Sequence, residues 1–472
     1  MIMKYLKIAK VAFLSLALMV VAGCADLELN PNAAIADDAY FNSIADYQAS
    51  IVGVYDQLSL ANYYGRSIHL MSDIMGEDVK QTGSANRYQE FADFEGQVVT
   101  GHGYETALWR EGYEAINMLN MIINNEFEAP SGVAAEYTQI KGEAYALRGL
   151  VYFDMVKMYA QHYTFSSGGS HIGVPIVLES DVTNLPSRNT VAEVYTQVIS
   201  DLNQGISMMT MDRNGPFFMT KTAAQAILSR VYLYMEDYTN SVSMADAVIG
   251  SGKYSLVTGD AYLNQFVTGG SSEAILELVS NDTDNRGSDA LGAMYRASGY
   301  GDYLPAKDLL DLIDPNDLRM QMFVTDPNLV GAYASHRVNK WPTQTNTDNV
   351  PIIRLSEVYL NRAEAKAQLG QESAAQADLN LIRQRGLATA PAVTATGTAL
   401  LDEILIERRI ELGYEGHSIH DLMRNKRDID RQDVTGDVSF MPYPCNFCIL
   451  PIPQLETDTN PNMTQNTGYG GA

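Results

Sequence analysis

Apolar residues recur at helical spacing through most of the chain, and two stretches show the pattern as paired runs. In residues 353–385 the first run carries Leu355, Val358, Tyr359 and Arg362, followed by the small Ala363 and Ala367. Gly370 interrupts, and Ala374, Ala375, Leu379 and Ile382 then form the stripe of a second run. Residues three and four apart share one face of an α-helix, so each run predicts an amphipathic helix and the glycine a turn. Residues 223–249 repeat the arrangement, with Ser229, Tyr232, Tyr238, Ser241, Ala245 and Val248 at comparable small and aromatic positions. Neither hairpin can bury both its faces alone, so together they predict a core of stacked helices.

Small residues on facing helices let backbones approach closely, as helix–turn–helix repeats of tetratricopeptide type require. The same periodicity predicts helices over 45–60 (Ile51, Val52, Tyr55 and Leu58 inward) and 104–125 (Trp109, Tyr113, Ile116 and Leu119 on one side). Another runs over 134–160 through Ile140, Ala144, Leu147, Val151 and Met155, and a fourth ends near Met209, with Thr190 or Asn189 as its N-cap. Residues 304–323 read as a helix broken at Asp314-Pro315, and 274–279 as a strand. Two loop-rich regions remain, 61–103 and 270–349. Periodicity fails in the first and in 280–303 of the second, where Gly, Ser, Asn and aromatics mix. Loops longer than about 12–15 residues are usually functional or disordered.

The helical run at 400–424 places Glu403, Glu407 and Glu411 at i, i+4 intervals, a row of like charges that repel on a free surface. Arg408 and Arg409 lie among them, and Leu401, Ile404, Ile406 and Leu412 cover more than one face. This predicts a helix inside the fold with its acids paired to arginines. Two of the carboxylates could instead be a glycosidase's acid/base pair, but one helix face does not fix their separation, and the structural reading is preferred.

Length and charge narrow the picture further. A chain of 472 residues exceeds what one hydrophobic core usually serves, and 46% hydrophobic with 19% charged residues is ordinary for a globular protein. The net charge of −25 opposes binding to nucleic acid, whose phosphates would meet a repulsive surface. At the start of the chain, Lys4, Lys7 and Lys10 precede an apolar run, 11–20, that is too short to span a bilayer. Val21-Ala22-Gly23-Cys24 follows and resembles the bacterial lipoprotein box, in which the Cys24 thiol would carry diacylglycerol; an ordinary secretory signal is the alternative. Removing 1–23 leaves 29 basic against 57 acidic residues, or −28. Each buried acyl methylene contributes about 0.8 kcal/mol, so two or three chains anchor stably. Residues 24–39 read as an extended polar tether.

Cys445 and Cys448 form a lone C-x-x-C; a short disulfide is possible, zinc lacks a second pair, and a surface pair without catalytic consequence is preferred. His417 and His420 beside Asp421 lack a third ligand for a metal, so packing is expected of them. Asp428, Asp430 and Asp433 fail the EF-hand pattern, having Asp433 where glycine is required and Ser439 where the closing glutamate belongs. No nucleophile, zincin, Walker or dinucleotide fingerprint is present, and no catalytic residue, metal or cofactor is assigned.

Taken together these residues resemble the SusD/RagB family of outer-membrane nutrient-binding lipoproteins. Residues 407–417, Glu-Arg-Arg-Ile-Glu-Leu-Gly-Tyr-Glu-Gly-His, are similar to the family's E-R-R-x-E-L-x-x-E-G-H stretch. Leu450-Pro451-Ile452-Pro453, Glu456, Asn460-Pro461 and Gln465-Asn466 with Gly468-Tyr469 resemble its P-I-P…E…N-P…Q-N-x-G-Y ending. Residues 354–365 and Arg188 with Thr190-Val191, Glu193 and Val194-Tyr195 match further motifs. Two departures are local: Ser418-Ile419-His420 replaces a basic and aromatic run, and Arg383-Gln384-Arg385-Gly386 shortens R-x-R-A-G.

The resemblance implies a mostly α fold over residues 40–472, with tetratricopeptide-like units (about 104–252 and 350–425) scaffolding a loop-built face that has a few short strands. It implies a surface lipoprotein that captures a glycan without altering it and delivers it to a TonB-dependent transporter of SusC type. Capture of peptides or other oligomers is an alternative, and a secreted glycan-active enzyme a more distant one. A glycan site needs flat aromatic faces for sugar C–H surfaces and planar amide, carboxylate or guanidinium groups for hydroxyls. The first loop region offers Tyr63, Tyr64, Arg66, Asn86, Arg87 and Tyr88; the second offers Asp282, Asn285, Arg286, Tyr295, Tyr300 and Tyr303. Trp109 and Trp341 read as structural aromatics.

Overall fold

The computed structural model describes residues 41–94, 103–181, 183–213, 215–333, 336–434 and 438–470. The expected leader, Cys24 and the tether lie outside the described residues, as does 95–102 of the first loop region. Residues 43–472 form one unit.

The helices are α1 (Ile44–Ser59), α2 (Ser67–Ile74), α3 (Gln89–Ala92), α4 (Gly103–Asn124) and α5 (Ala134–Tyr159). Next come α6 (Val191–Met208), α7 (Lys221–Tyr234), α8 (Tyr238–Gly250), α9 (Ala261–Thr268), α10 (Leu291–Tyr295) and α11 (Lys307–Leu310). The second half adds α12 (Leu355–Gln368), α13 (Glu372–Gly386), α14 (Gly397–Leu412), α15 (Ser418–Arg424) and α16 (Gln454–Thr459). The fold is mostly helical.

Packing runs continuously from α1 and α4 through α5, α6, α7 and α8 to α12, α13 and α14. Small residues permit these contacts. A Cβ on Gly205 of α6 would lie 2.7 Å from the Gly142 carbonyl oxygen and 2.8 Å from Ala146 Cβ on α5. Arg148 of α5 closes the same seam by donating to both Asp201 oxygens, at 2.8 and 2.7 Å. The N-terminus of α6 is held by a capping box: Glu193 N–H donates to Thr190 Oγ1, and Thr190 N–H to the Glu193 carboxylate.

Both predicted hairpins are present as α7–α8 and α12–α13. Gly370, at φ +72°, makes the second turn at a conformation an L-residue side chain disfavours. Leu360, Ala363, Ala375, Leu379, Ile382, Leu400, Ile404 and Leu412 enclose one apolar core shared by α12, α13 and α14.

Among the described residues, four two-stranded antiparallel sheets lie outside this array. β1 (Val79–Gln81) pairs with β3 (Tyr303–Pro305), and β2 (Ala274–Leu278) with β6 (Val350–Arg354). β4 (Phe323–Thr325) pairs with β5 (His336–Val338), and β7 (Ile429–Asp430) with β8 (Phe440–Met441). The first of these joins the two loop-rich regions that the sequence separates.

Several expectations need correction. Val52 is 56% exposed, because the inward face of α1 is Tyr47, Ile51, Val54 and Leu58. Residues 61–103 are not loop throughout: α2 is buried at every position, and a helix covered on all sides shows no amphipathic period. Residues 304–323 are not one helix. The Asp317 carboxylate accepts from Arg319 N–H at 2.8 Å and Asp314 from Asn316 N–H at 2.8 Å, so side chains take backbone donors a helix would use. The 400–424 helix divides into α14 and α15, with Tyr414 at φ +67° and Gly416 at φ +79° between them. Cys445 and Cys448 are disulfide-bonded and buried, not a surface pair.

The acids of α14 are paired to arginines as expected, and through an extended network. Glu411 meets Arg354 and Arg385 at 2.5 Å, and Glu407 meets Arg319 at 2.5 Å and Arg383 at 3.0 Å. Arg354 also reaches Glu273 and Glu415, both at 2.8 Å. Burial raises the Glu415 carboxyl, but Arg354 and Lys340 outweigh it and hold it at about 2. Arg408 and Arg409 turn instead to Asp421 and Asp78, at 2.9 and 2.7 Å. His417 and His420 pack inside, and burial holds both rings well below the usual histidine range. Among the described residues no group of three or more His, Cys, Asp or Glu is placed to hold a metal ion, and no helix is long and apolar enough to cross a membrane.

Candidate functional site

The β1–β3 pair brings together the two chain segments that carry most of the candidate residues. At the edge of this pair Arg87 lies over the Tyr300 ring, its guanidinium carbon 3.4 Å from the ring centroid. Arg87 donates to the Asp302 carboxylate at 2.9 Å, and the Tyr303 hydroxyl donates to the Arg87 carbonyl at 2.5 Å. Asp302 is itself fixed, because Thr82 N–H donates to its carbonyl at 2.8 Å. Burial opposes the Arg87 charge, yet the Asp302 carboxylate beside it holds the guanidinium above its ordinary range. Tyr300 is 37% exposed and Arg87 is partly so, with Asn86 exposed next to them. Among the described residues the Arg87 guanidinium makes no second hydrogen bond, so most of its donors face solvent.

A second layer supports this rim from beneath. Tyr88 stacks on Tyr104 at 3.8 Å between centroids and 18° between planes, and the Arg66 guanidinium lies 5.4 and 5.9 Å from the two rings. Arg66 donates to the Tyr88 hydroxyl and to Asp289, both at 2.8 Å. Tyr88 takes φ +58°, an uncommon conformation for an aromatic residue. The reversal at that point leaves Asn86 exposed and Tyr88 fully buried.

The structure separates the candidates chosen from sequence into three groups. Arg87 and Tyr300 meet at the surface with Asn86 nearby. Tyr63, Tyr64, Arg66, Tyr88, Tyr295 and Tyr303 are buried, so these tyrosines present no ring face to solvent. The hydroxyl of Tyr64 donates to Asp154 at 2.6 Å, an interior role. Asp282, Asn285 and Arg286 form the third group. Arg286 braces α1 by donating to the Ser59 carbonyl and to Asp56, both at 2.9 Å. Asn285 shapes its own turn by donating to Asn281 and accepting from Gly287 N–H, and Asp282 is exposed. Trp109 and Trp341 are buried. Residues missed by sequence reasoning are Tyr104, which reads as the first turn of a helix, and Asp302, which had no pattern of its own.

Comparison with known proteins agrees with this architecture. A model of the SusD family matches residues 316–469, and a model described as starch-binding, associating with the outer membrane, matches 27–233. A SusD superfamily protein of Bacteroides thetaiotaomicron is similar over 90% of this chain and 99% of its own, with 30% identity and a TM-score of 0.82. The chain belongs to the SusD family. A SusD superfamily protein of Bacteroides vulgatus aligns over 91% of this chain and 100% of its own at 27% identity, with a TM-score of 0.83. SusD-like protein P2 of Formosa agariphila is 25% identical, over 98% of this chain and 99% of that protein. The SusD-family fold therefore spans both the helical array and the rim.

Proposed function

We propose that this SusD-family protein captures a glycan outside the cell and delivers it, unaltered, to a TonB-dependent outer-membrane transporter of SusC type. Three lines support the reading: family membership, the starch-binding and outer-membrane description of the model matching 27–233, and the lipoprotein-box pattern ending at Cys24. The observation that carries it is the Arg87–Tyr300 pair. It presents a partly exposed guanidinium–phenol stack for sugar C–H groups and unused guanidinium donors for hydroxyls on one surface patch. Asn86 adds a planar amide. The reading assigns no nucleophile and no acid/base pair to this face, and anchoring is assigned to acyl chains on Cys24.

The mature protein is to be applied to a glycan array and to a peptide panel of matched size. Binding to glycans alone, without release of shortened products, supports capture. Selective peptide binding, or product release by the purified protein, overturns it. Mass spectrometry of membrane-extracted protein tests the anchor, since an intact Met1 or an unmodified Cys24 is incompatible with it. Co-purification from detergent tests the transporter, whose absence from the eluate is the negative result.

A further inference from the structure

A groove of about 680 Å³ lies along α4 from Thr106 to Met118, walled by Pro175, Val177, Asp181, Asn184 and Pro186 and by the segment around α16. We propose that it is a second carbohydrate site, taking a short stretch of a neutral oligosaccharide. It shares its ligand class with the preceding reading but none of its residues.

The volume falls within the range of about 300–1,000 Å³ typical of ligand sites. The aromatic element is the half-buried Tyr113 ring, packed on Trp109 at 4.7 Å. Its hydroxyl donates to the Pro175 carbonyl at 2.8 Å, so the ring is held in place. Trp109 and Glu456 both line the groove, where burial raises the Glu456 carboxyl and the Trp109 side chain offsets part of that rise.

The walls are stitched in the same way. Asn120 donates to the Val177 carbonyl at 2.9 Å, Asn124 to Leu178 at 2.7 Å, and Asn460 to Pro186 at 2.8 Å. The opening is therefore preformed. Among the described residues, the exposed side-chain amides of Asn117 and Asn184, both in the lining, have no hydrogen-bond partner. Planar amides beside a fixed aromatic ring match the alternating polar and C–H surfaces of a sugar.

Charge selects within that class. Glu114, Asp181 and Glu456 outnumber Arg110 in the lining, which disfavours uronic or sulfated chains. The same charges disfavour a protein partner, because interface cores are depleted in acidic residues and Glu114 and Arg110 are more than half exposed.

Calorimetry on the mature protein with maltoheptaose, xylohexaose, mannohexaose and cellohexaose tests the proposal. For at least one probe the expected stoichiometry is two. Asn117→Arg and Asn184→Arg, at exposed positions, are expected to weaken one binding event at least 10-fold with an unchanged Tm. The double variant Arg87→Ala/Tyr300→Ala should remove the other event. If only the groove variants lower binding, the second site stands and the rim reading fails. A stoichiometry of one that Asn117→Arg leaves unaltered overturns the second site, as does an absence of binding by every probe. Loss of transporter co-purification in Asn117→Arg with glycan binding intact identifies a protein-docking face instead, and also overturns it.

Discussion

Arg354 and Arg87 are built from the same parts and serve opposite ends. Arg354 is 2% exposed, lies 5.8 Å from the Phe266 ring centroid, and is shared by Glu273, Glu411 and Glu415. Arg87 lies 3.4 Å from Tyr300, keeps 29% of its side chain exposed, and has Asp302 as its one ion-pair partner among the described residues. A desolvated guanidinium is tolerated only when its donors are satisfied, so Arg354 can do nothing but hold β6 to α14. Arg87 pairs with Asp302 to fix its direction and keeps donors for something else. Number of partners and access to water, not residue type, separate the interior from the rim.

The sharpest way to break the contrast is Arg354→Met. It leaves Glu411 and Glu415 buried with fewer cations, and a loss of about 3–5 kcal/mol is expected by denaturant unfolding. A loss below 1 kcal/mol would show that the network is dispensable.

Acid should distinguish the regions next. Burial lowers the His69 ring from 6.5 to about 4. A depressed folded value means stability present above 6.5 and lost as pH falls toward 4, at most about 3 kcal/mol from this ring. Asp73, pushed up to about 8 by burial, works in the opposite direction. The test is therefore the difference between the parent and His69→Gln at pH 7 and pH 5, where the variant should lose less stability on acidification. Equal losses would refute it.

Gly205→Ala pushes a methyl group toward the Gly142 carbonyl and should cost about 1–3 kcal/mol in urea unfolding. At the rim, Arg87→Ala and Tyr300→Ala should each weaken glycan binding about 10-fold. Tyr300→Ala should change stability by about 0.5 kcal/mol or less. Arg87→Ala leaves the buried Asp302 carboxylate without its cation and should cost about 1–3 kcal/mol. A drop in Tm as large as that of Arg354→Met would place the pair with the interior.

The helical array was legible because its signal is local. Leu355, Val358, Leu379 and Ile382 repeat at helical spacing, and Thr190 with Glu193 announces a helix start within four residues. The buried acids of α14 were legible for a related reason, since Glu407 and Glu411 on one helix face demand compensation wherever it comes from. Their partners were not, because Arg319 and Arg354 arrive from distant strands and turns. The rim was half legible. Composition pointed to both loop regions, but alternation between Asn86, Arg87 and Tyr88 depends on the left-handed turn at Tyr88, which its sequence does not advertise. Tyr63, Tyr88 and Tyr303 look like platforms when read singly and are interior once β1 meets β3.

One consequence follows from how residues 449–469 are tied down. Leu450 N–H donates to the Met158 carbonyl at 2.7 Å, Asn466 donates to the Tyr159 carbonyl at 2.8 Å, and Arg188 donates to the Asn466 side chain at 2.8 Å. Partners separated by nearly 300 residues must be available together before α5 and the 188 turn reach their final surroundings. During synthesis the front half emerges long before its own lining, so the packing of α5 and the 188 turn is completed only when the last segment of the polypeptide arrives.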